Sequence, residues 1–508
     1  MKNFILLLAI LIAVITANAQ WTQIGQDIDG EAAGDGSGSS VSLSSDGTIV
    51  AIGAFLNDGN GSYAGHVRIY EYSGANWIQI GSDIDGEAAD DRSGISVSLS
   101  SDGTIVAIGA FLNDGNGSGA GHVRVFEYSG GNWIQIGNDI DGEAVSDYLG
   151  NEVSMNSDGS IVAIGAMYND GNGSDAGHVR IYEYSGGNWV QIGSDIDGET
   201  AGDRSGWAVS LSSTGNIVAI GACLNDGNGG TGHVRVYEYS AGSWLQKGND
   251  IDGEANGDYF GRSVSLSSDG LIVAIGAHYN DGNSGNISDD KGHVRIYEYN
   301  GGNWVQMGSD IDGETSGDWS GCSVSLNSTG NIVVIGAPIN YGYGGTIDSL
   351  KGHVRIYEYS GGNWMQIGND IDGEASGDYS GNSVSLNSDG STVAIGAPCN
   401  SGNGTEAGHV RVYNFTTGIN EYIKNTKVSI YPNPTSGKIR VQAEGIIGIE
   451  VMDLQGCKVK SQKSNIKSEK GTLNLSKCEI DLSQQPKGIY IIKVTTEKGV
   501  AVEKIIKN

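Results

Sequence analysis

Asp27, Asp29, Glu31 and Asp35 lie within nine residues, in the string D-I-D-G-E-A-A-G-D. Closely related strings return six more times: Asp83, Asp85, Glu87 and Asp91; Asp139, Asp141, Glu143 and Asp147; Asp195, Asp197, Glu199 and Asp203; Asp250, Asp252, Glu254 and Asp258; Asp310, Asp312, Glu314 and Asp318; Asp370, Asp372, Glu374 and Asp378. Several hard carboxylate oxygens in one loop, around a glycine that permits a sharp turn, suit Ca2+, which takes six to eight such oxygens. The spacing is not that of an EF-hand loop. The same residues have a purely structural reading, in which Asp29 and its equivalents cap turns through side-chain to backbone hydrogen bonds and the rest form solvated surface. Like charges gathered on one face repel unless cations neutralise them, which favours the metal. Both readings stand at this level.

The elements that position these loops follow from a longer repeat. Trp21, Trp77, Trp133, Trp189, Trp244, Trp304 and Trp364 each open a unit reading W-x-Q-x-G-x-D-I-D-G-E, at spacings of 56, 56, 56, 55, 60 and 60 residues. Within the second unit, residues 97–99 alternate as a strand, Ser101-Asp102-Gly103 turns, and TIVAIGA (104–110) is apolar enough for a strand covered on both faces. HVRVFEY (122–128) is β-branched and aromatic, and WIQIG (133–137) is a fourth strand. Four antiparallel strands per long repeat predict an all-β chain with a seven-bladed β-propeller over residues 20–420.

The phase of the repeat predicts how the ring closes. The chain starts with a lone fourth-type strand at Trp21 and ends its last repeat on a third-type strand, residues 409–415. The N-terminal strand is expected to complete the seventh blade, leaving no open edge between first and last blade. In an up-and-down blade the 2–3 and 4–1 loops share one face. That face then receives the 28 carboxylates of the seven acidic strings, together with Asp58, Asp114, Asp170, Asp226 and Asp281 of the N-D-G loops.

Other repeated residues read as structure. The histidine of G-H-V-R recurs at His66, His122, His178, His233, His293, His353 and His409, beside an arginine each time. A catalytic histidine is normally unique, so this pair reads as blade packing. The repeated tryptophans likewise read as packing rather than as a platform for sugars. Trp207, His278 and Trp319 break the repeat and are the better candidates for a specific role. Longer 2–3 loops at residues 282–291 and 344–351 read either as a binding side or as tolerated loop variation.

Lys2, an apolar run over residues 4–15 and Ala17-Asn18-Ala19 form a secretory signal over residues 1–19. No later stretch has the ~20 apolar residues of a membrane-spanning helix. Net charge is −31. Residues 20–420 carry 13 Lys and Arg against 51 Asp and Glu, while residues 421–508 carry 15 against 9, which marks a domain boundary. So acidic a repeat domain repels phosphate backbones and argues against nucleic acid as a partner. Cys223, Cys322 and Cys399 are isolated and read as buried or incidental thiols, whereas Cys457 and Cys478 share the C-terminal domain and could pair, a geometry that sequence alone does not show.

Phe260-Gly261-Arg262-Ser263-Val264, Gly336-Ala337-Pro338 and Gly396-Ala397-Pro398 resemble the FG-GAP repeats of the integrin α-chain propeller, also seven-bladed. Elsewhere the Phe is mostly Ser, as in Ser93-Gly94, Ser205-Gly206 and Ser380-Gly381. The family's Ca2+ sites lie in an Asp-rich 1–2 loop that is here reduced to Ser-Asp-Gly or Ser-Thr-Gly, so they do not transfer. The resemblance implies adhesion or ligand binding, although a shared fold alone does not establish it. VSIYPNPTSG (428–437), IEVMDLQG (449–456), GIYIIKV (488–494) and a short basic tail resemble the type A C-terminal sorting domain of the type IX secretion system of Bacteroidota. That resemblance covers residues 426–508, suggests a small β-sandwich, and implies the secretion machinery as a partner, with delivery to the outer surface or medium.

The sequence therefore predicts an exported, non-enzymatic binding or adhesion protein with an unidentified extracellular protein or glycan as ligand and Ca2+ as a candidate ion. Two alternatives stand beside it: an enzyme acting on extracellular polysaccharide, and a structural surface protein with no specific ligand. No G-x-S-x-G or H-E-x-x-H string supports catalysis.

Overall fold

The computed structural model describes residues 20–225, 230–281, 289–340, 350–416, 428–444, 446–452, 458–463, 475–496 and 499–507. The signal segment, Asp226, Cys457, the boundary around residue 420 and most of the two long 2–3 loops lie outside these residues. The described residues fall into two compact units, one within residues 18–416 and one within 417–508.

The first unit holds seven antiparallel sheets of one design. In the first blade, Ser40–Leu43 pairs with Ile49–Ala54, which pairs with His66–Tyr72, which pairs with Trp77–Gln79. The all-apolar second strand is buried along nearly its whole length, as its composition requires. Cores form between blades: Ile69 and Val67 of one blade pack with Val97, Leu99 and Ile108 of the next.

Each blade carries a fifth element that the sequence reading assigned to a loop. Ile84–Asp85, inside the acidic string, pairs back onto the third strand of its own blade, with Val67 opposite Ile84 and His66 opposite Asp85. Two extra residues bulge between this bridge and the fourth strand, since Tyr70 faces Gln79. Ile84 is buried, and this anchors the acidic string to the sheet.

The blades are stitched by three rings of hydrogen bonds. At the axis, the second serine of each S-V-S-L strand accepts the N–H of the next blade's leucine or methionine, as from Leu99 to Ser42 Oγ at 3.0 Å, and this occurs seven times. On the face of the 1–2 turns, Ser45 N–H donates to Ser101 O, Ser101 to Ser157, and so on around to Ser388 donating to Ser45. At the periphery each tryptophan donates its indole N–H to a carbonyl of the preceding blade, as Trp77 to Ile24 O at 3.0 Å. The glycine of W-x-Q-x-G has positive φ, and a Cβ at Gly81 would lie 2.6 Å from Trp133 Cδ1, so this position has room for glycine only.

The N-terminal strand closes the ring as expected. Gln20–Gln23 pairs with His409–Thr416, Gln20 opposite Thr416 and Gln23 opposite Tyr413, and Trp21 donates to Ile367 O.

In the second unit, the sheet of Ser429–Tyr431, Lys438–Glu444 and Leu475–Asp481 and the sheet of Lys458–Lys463, Ile446–Met452, Gly488–Thr496 and Gly499–Lys507 enclose one core. Ile439, Val441 and Ile480 of one meet Ile449, Val451 and Ile492 of the other, which makes a two-sheet sandwich.

Candidate functional site

The acidic strings lie where connectivity placed them. Asn60 of the 2–3 loop donates to Gly86 O of the following acidic string at 2.7 Å, so both loops occupy one face. The four carboxylates of a single string, however, have separate duties. Asp35 is buried and its Oδ2 accepts the N–H groups of Glu31 and Ala32, and Asp91, Asp203, Asp318 and Asp378 repeat both bonds. Asp147 and Asp258 make the second of the two. These are turn caps. The exposed Asp29 offers its backbone carbonyl to Arg68 Nη2 at 2.7 Å; Asp85, Asp197, Asp312 and Asp372 do the same for the next arginines, and Asp141 and Asp252 hold the equivalent exposed position. The first aspartate takes a hydrogen bond from the glutamine of W-x-Q, as Gln79 Nε2 to Asp83 Oδ1 at 2.6 Å, which explains that glutamine.

What converges comes from two different strings. Glu31 precedes the first blade, Asp83 follows it, and both face His66 Nδ1, at 4.0 and 3.9 Å. Glu31 turns its other oxygen toward Arg68 at 3.6 Å. The trio repeats as Glu87, His122 and Asp139; Glu143, His178 and Asp195; Glu199, His233 and Asp250; and Glu374, His409 and Asp27. Elsewhere Asp310 Oδ2 lies 4.0 Å from His293 Nδ1, Glu254 pairs with Arg295, Glu314 with Arg355, and Asp370 accepts from Gln366. The histidines are almost wholly buried, and their Nε2 atoms lack hydrogen-bond partners at His66, His122, His233, His293, His353 and His409. Burial, aided by the neighbouring arginine, pushes His122 and His233 down to about 4, so these imidazoles are neutral at pH 7.

A second site lies on the axis. A cavity of about 560 Å³ is lined by the start of the first strand of every blade and, toward the acidic face, by Phe55, Leu56, Phe111, Met167 and Glu406. Seven equivalent positions line it, one per repeat: Ser39, Ile95, Asn151, Trp207, Arg262, Cys322 and Asn382. The flanking strand residues are nearly constant from repeat to repeat, yet here no two neighbours share a residue. The following position is serine in five blades, Ala208 in one and Glu152 in another. The part-buried Glu152 lines the cavity; burial raises its carboxyl to about 8, opposed by the Arg262 guanidinium.

A related column surrounds the mouth. Arg92, Tyr148, Arg204, Tyr259, Trp319 and Tyr379 all have left-handed backbone, with φ from 55° to 61°, where the first blade has Gly36. Each costs on the order of 1 kcal/mol relative to glycine, so large side chains are held here against a backbone preference. Arg204 stacks on Tyr168 at 4.5 Å and Trp207 at 6.0 Å, Arg262 on Trp207 at 5.2 Å, and Arg92 on Tyr63 at 4.3 Å. His278 and Trp319 meet edge to face at 5.7 Å, with Tyr279 against both. Burial, with Arg262 adding to it, pushes His278 down to about 3. Of the three repeat-breaking residues singled out by sequence, Trp207 lines the cavity together with Arg262 and Glu152, which sequence reasoning missed, while His278 and Trp319 pack on each other. Disagreement among seven aligned repeats was the signal that marks them.

Comparison with known families agrees with this architecture. Residues 250–294 match the FG-GAP repeat model and residues 429–508 match the secretion system C-terminal sorting domain. The second unit therefore marks the chain for export by type IX secretion to the cell surface or extracellular space. No curated protein sequence matches the chain. Among solved structures, it is similar to a putative 6-phosphogluconolactonase from Bacteroides uniformis (13% identity, 66% of this chain and 86% of that one, TM-score 0.46). It is also similar to the periplasmic gluconolactonase PpgL of Pseudomonas aeruginosa (15%, 67% and 86%, 0.45) and to the Dos1 propeller (13%, 78% and 94%, 0.41). Likeness at this level carries no inference about activity.

Proposed function

We propose that the protein is an exported binding protein, non-enzymatic, that takes its extracellular ligand in the axial cavity on the acidic face. One observation carries this reading: a position at which the seven repeats carry unlike residues, from Ser39 to Trp207 and Arg262, lines that one cavity in every blade. A scaffold with no specific ligand has no use for Trp207, Arg262 and Asn151 at equivalent places with Glu152 beside them, and a cavity of about 560 Å³ falls in the ~300–1,000 Å³ range of small-ligand sites. Adhesion follows if the ligand belongs to a surface or matrix. The test is binding of the full chain to an array of extracellular saccharides. Trp207→Ala is expected to weaken retention at least about tenfold, the loss typical of a central aromatic contact. Retention unchanged in Trp207→Ala removes the cavity from the reading, and turnover of any saccharide replaces binding with catalysis.

A cation on the acidic face belongs to the same reading, with its ligands drawn from two strings rather than one. One neutral imidazole and two carboxylates fit a nitrogen-accepting ion such as Zn2+ better than Ca2+, which takes six to eight oxygens. Melting of the chelator-treated full chain is expected to rise on adding Zn2+ and to respond less to Ca2+. No response to either ion returns these carboxylates to capping and solvation.

A further inference from the structure

Building on that reading, we infer that the axial cavity recognises an acidic saccharide, one bearing a carboxylate or a sulfate, with Arg262 and Arg204 as the anion-binding groups and Trp207 as the surface on which the sugar ring stacks.

The argument starts from charge. The propeller is strongly acidic, and seven of its arginines are committed, each lying against a glutamate of an acidic string. Arg92, Arg204 and Arg262 are the exceptions: among the described residues none of the three is in ion-pair contact with a carboxylate, and Arg262 acts on the Glu152 carboxyl across the cavity only at longer range. Arg262 lines the cavity, and Arg92 and Arg204 lie over Phe55 and Trp207, which line it too; all three stand in columns where the repeats diverge. In a domain this rich in carboxylates, a guanidinium without a carboxylate partner, held at a concave opening, is a site kept free for an anion from outside.

The stacking defines how the guanidinium groups are presented. Arg262 and Arg204 lie over Trp207 at 5.2 and 6.0 Å, and Arg204 also lies over Tyr168 at 4.5 Å. An arginine laid on a ring keeps its N–H edge available in plane, and that edge matches a carboxylate or sulfate in bidentate fashion. Trp207, half-buried against the blade core, is flanked by two cations, so one opening places an indole beside donors for the charged substituent of a sugar. Asn151 and Asn382 also line the wall, where Asn151 is held by bonds to Gly206 O, Trp207 O and the Met167 N–H and Asn382 donates to Ser39 O.

The cavity's own carboxylates do not cancel this charge. Glu152 is kept protonated at neutral pH by burial, which makes it a hydrogen-bond donor, and Glu406 lies at the outer lip and is exposed. His278, beside the mouth, is neutral.

The surrounding face sets the size of ligand. Its rim carries the acidic strings of all seven repeats, which repel an extended polyanion lying across the disc. An anionic group reaching the axis must therefore come as a short oligosaccharide or as the end of a chain, entering along the axis past the rim.

The experiment uses the full chain and calorimetry. The probes are uronic-acid di- and trisaccharides, the same sugars with each carboxylate reduced to the alcohol, and a sulfated disaccharide with its unsulfated counterpart. An acidic probe is expected to bind at least tenfold more tightly than its neutral partner; the uronate and sulfate arms tell which anion is preferred. Arg262→Gln with Arg204→Gln is expected to abolish that preference, while Arg92→Gln, farther from Trp207, has a smaller effect. Equal binding of acidic and neutral probes, or an acidic preference that survives the double substitution, overturns the inference. If neutral sugars bind and Trp207→Ala removes that binding, the cavity reading stands without the anion. If no probe binds, the acidic-saccharide assignment falls, while binding of any other array member that is lost in Trp207→Ala still supports the cavity.

Discussion

Trp21→Ala is expected to destabilise the propeller by about 3–5 kcal/mol, the range for truncating a large buried aromatic to alanine. Trp21 is only 5% exposed, packs against Phe415 with ring centroids 5.0 Å apart, and donates its indole N–H to Ile367 O. Trp189 is the matched control, since it is equally buried and makes the same indole bond to Ile136 O inside the ring. Both variants should lower the denaturant midpoint by similar amounts. Only Trp21→Ala should also make residues 20–23 and the strand His409–Thr416 susceptible to limited proteolysis, because only there does the loss open a seam. Equal protease resistance of the two variants would mean that the four-residue ladder closes the ring without its aromatic anchor.

Glu152→Gln is expected to leave stability unchanged at pH 4 and to raise it by on the order of a few kcal/mol at pH 9. The sign follows from linkage. The folded carboxyl, raised to about 8, holds its proton where the unfolded one, near 4.5, has released it. Its stabilising contribution is complete below pH 4.5 and is lost as pH rises through 8. The slope between those values is about 1.4 kcal/mol for each tenfold change in proton concentration, and water in the cavity lowers it. The glutamine stays neutral throughout, so the two proteins should diverge across that window in denaturant titrations. Curves that stay parallel from pH 4 to 9 would show that the carboxyl is solvated well enough to ionise at its ordinary pKa. The same ionisation should weaken an anionic ligand above pH 8 in the parent and leave Glu152→Gln unaffected.

The fold was legible because it is written seven times. The tryptophan spacing, the apolar IVAIGA strands and the lone strand at Trp21 predicted blades, ring and closure, and up-and-down connectivity sorted the loops between faces. The bridge Ile84–Asp85 was not legible, since two residues carry no periodicity and their place is set by the third strand. The grouping of carboxylates was not legible either. Glu31 and Asp83 are 52 positions apart and meet only because His66–Tyr72 lies between their strings. The cavity was half legible. Trp207 stands out by size, whereas Arg262 and Glu152 are ordinary letters in a strand until seven blades bring their column to one axis.

The closing strand also dictates an order of events. Gln20 faces Thr416 across 396 residues of chain and Asp29 faces His409 in the same blade, whereas the strands of the other six blades pair with strands close in sequence. Six blades can assemble as they are made, each on the one before, from contacts of short sequence separation. The seventh cannot, because its outer strand was synthesised first and must wait, unpaired, until the last repeat arrives. A chain cut short anywhere before residue 409 is left with a gap and two bare edges rather than a smaller propeller. Completion of the ring thus reports completion of the whole repeat domain.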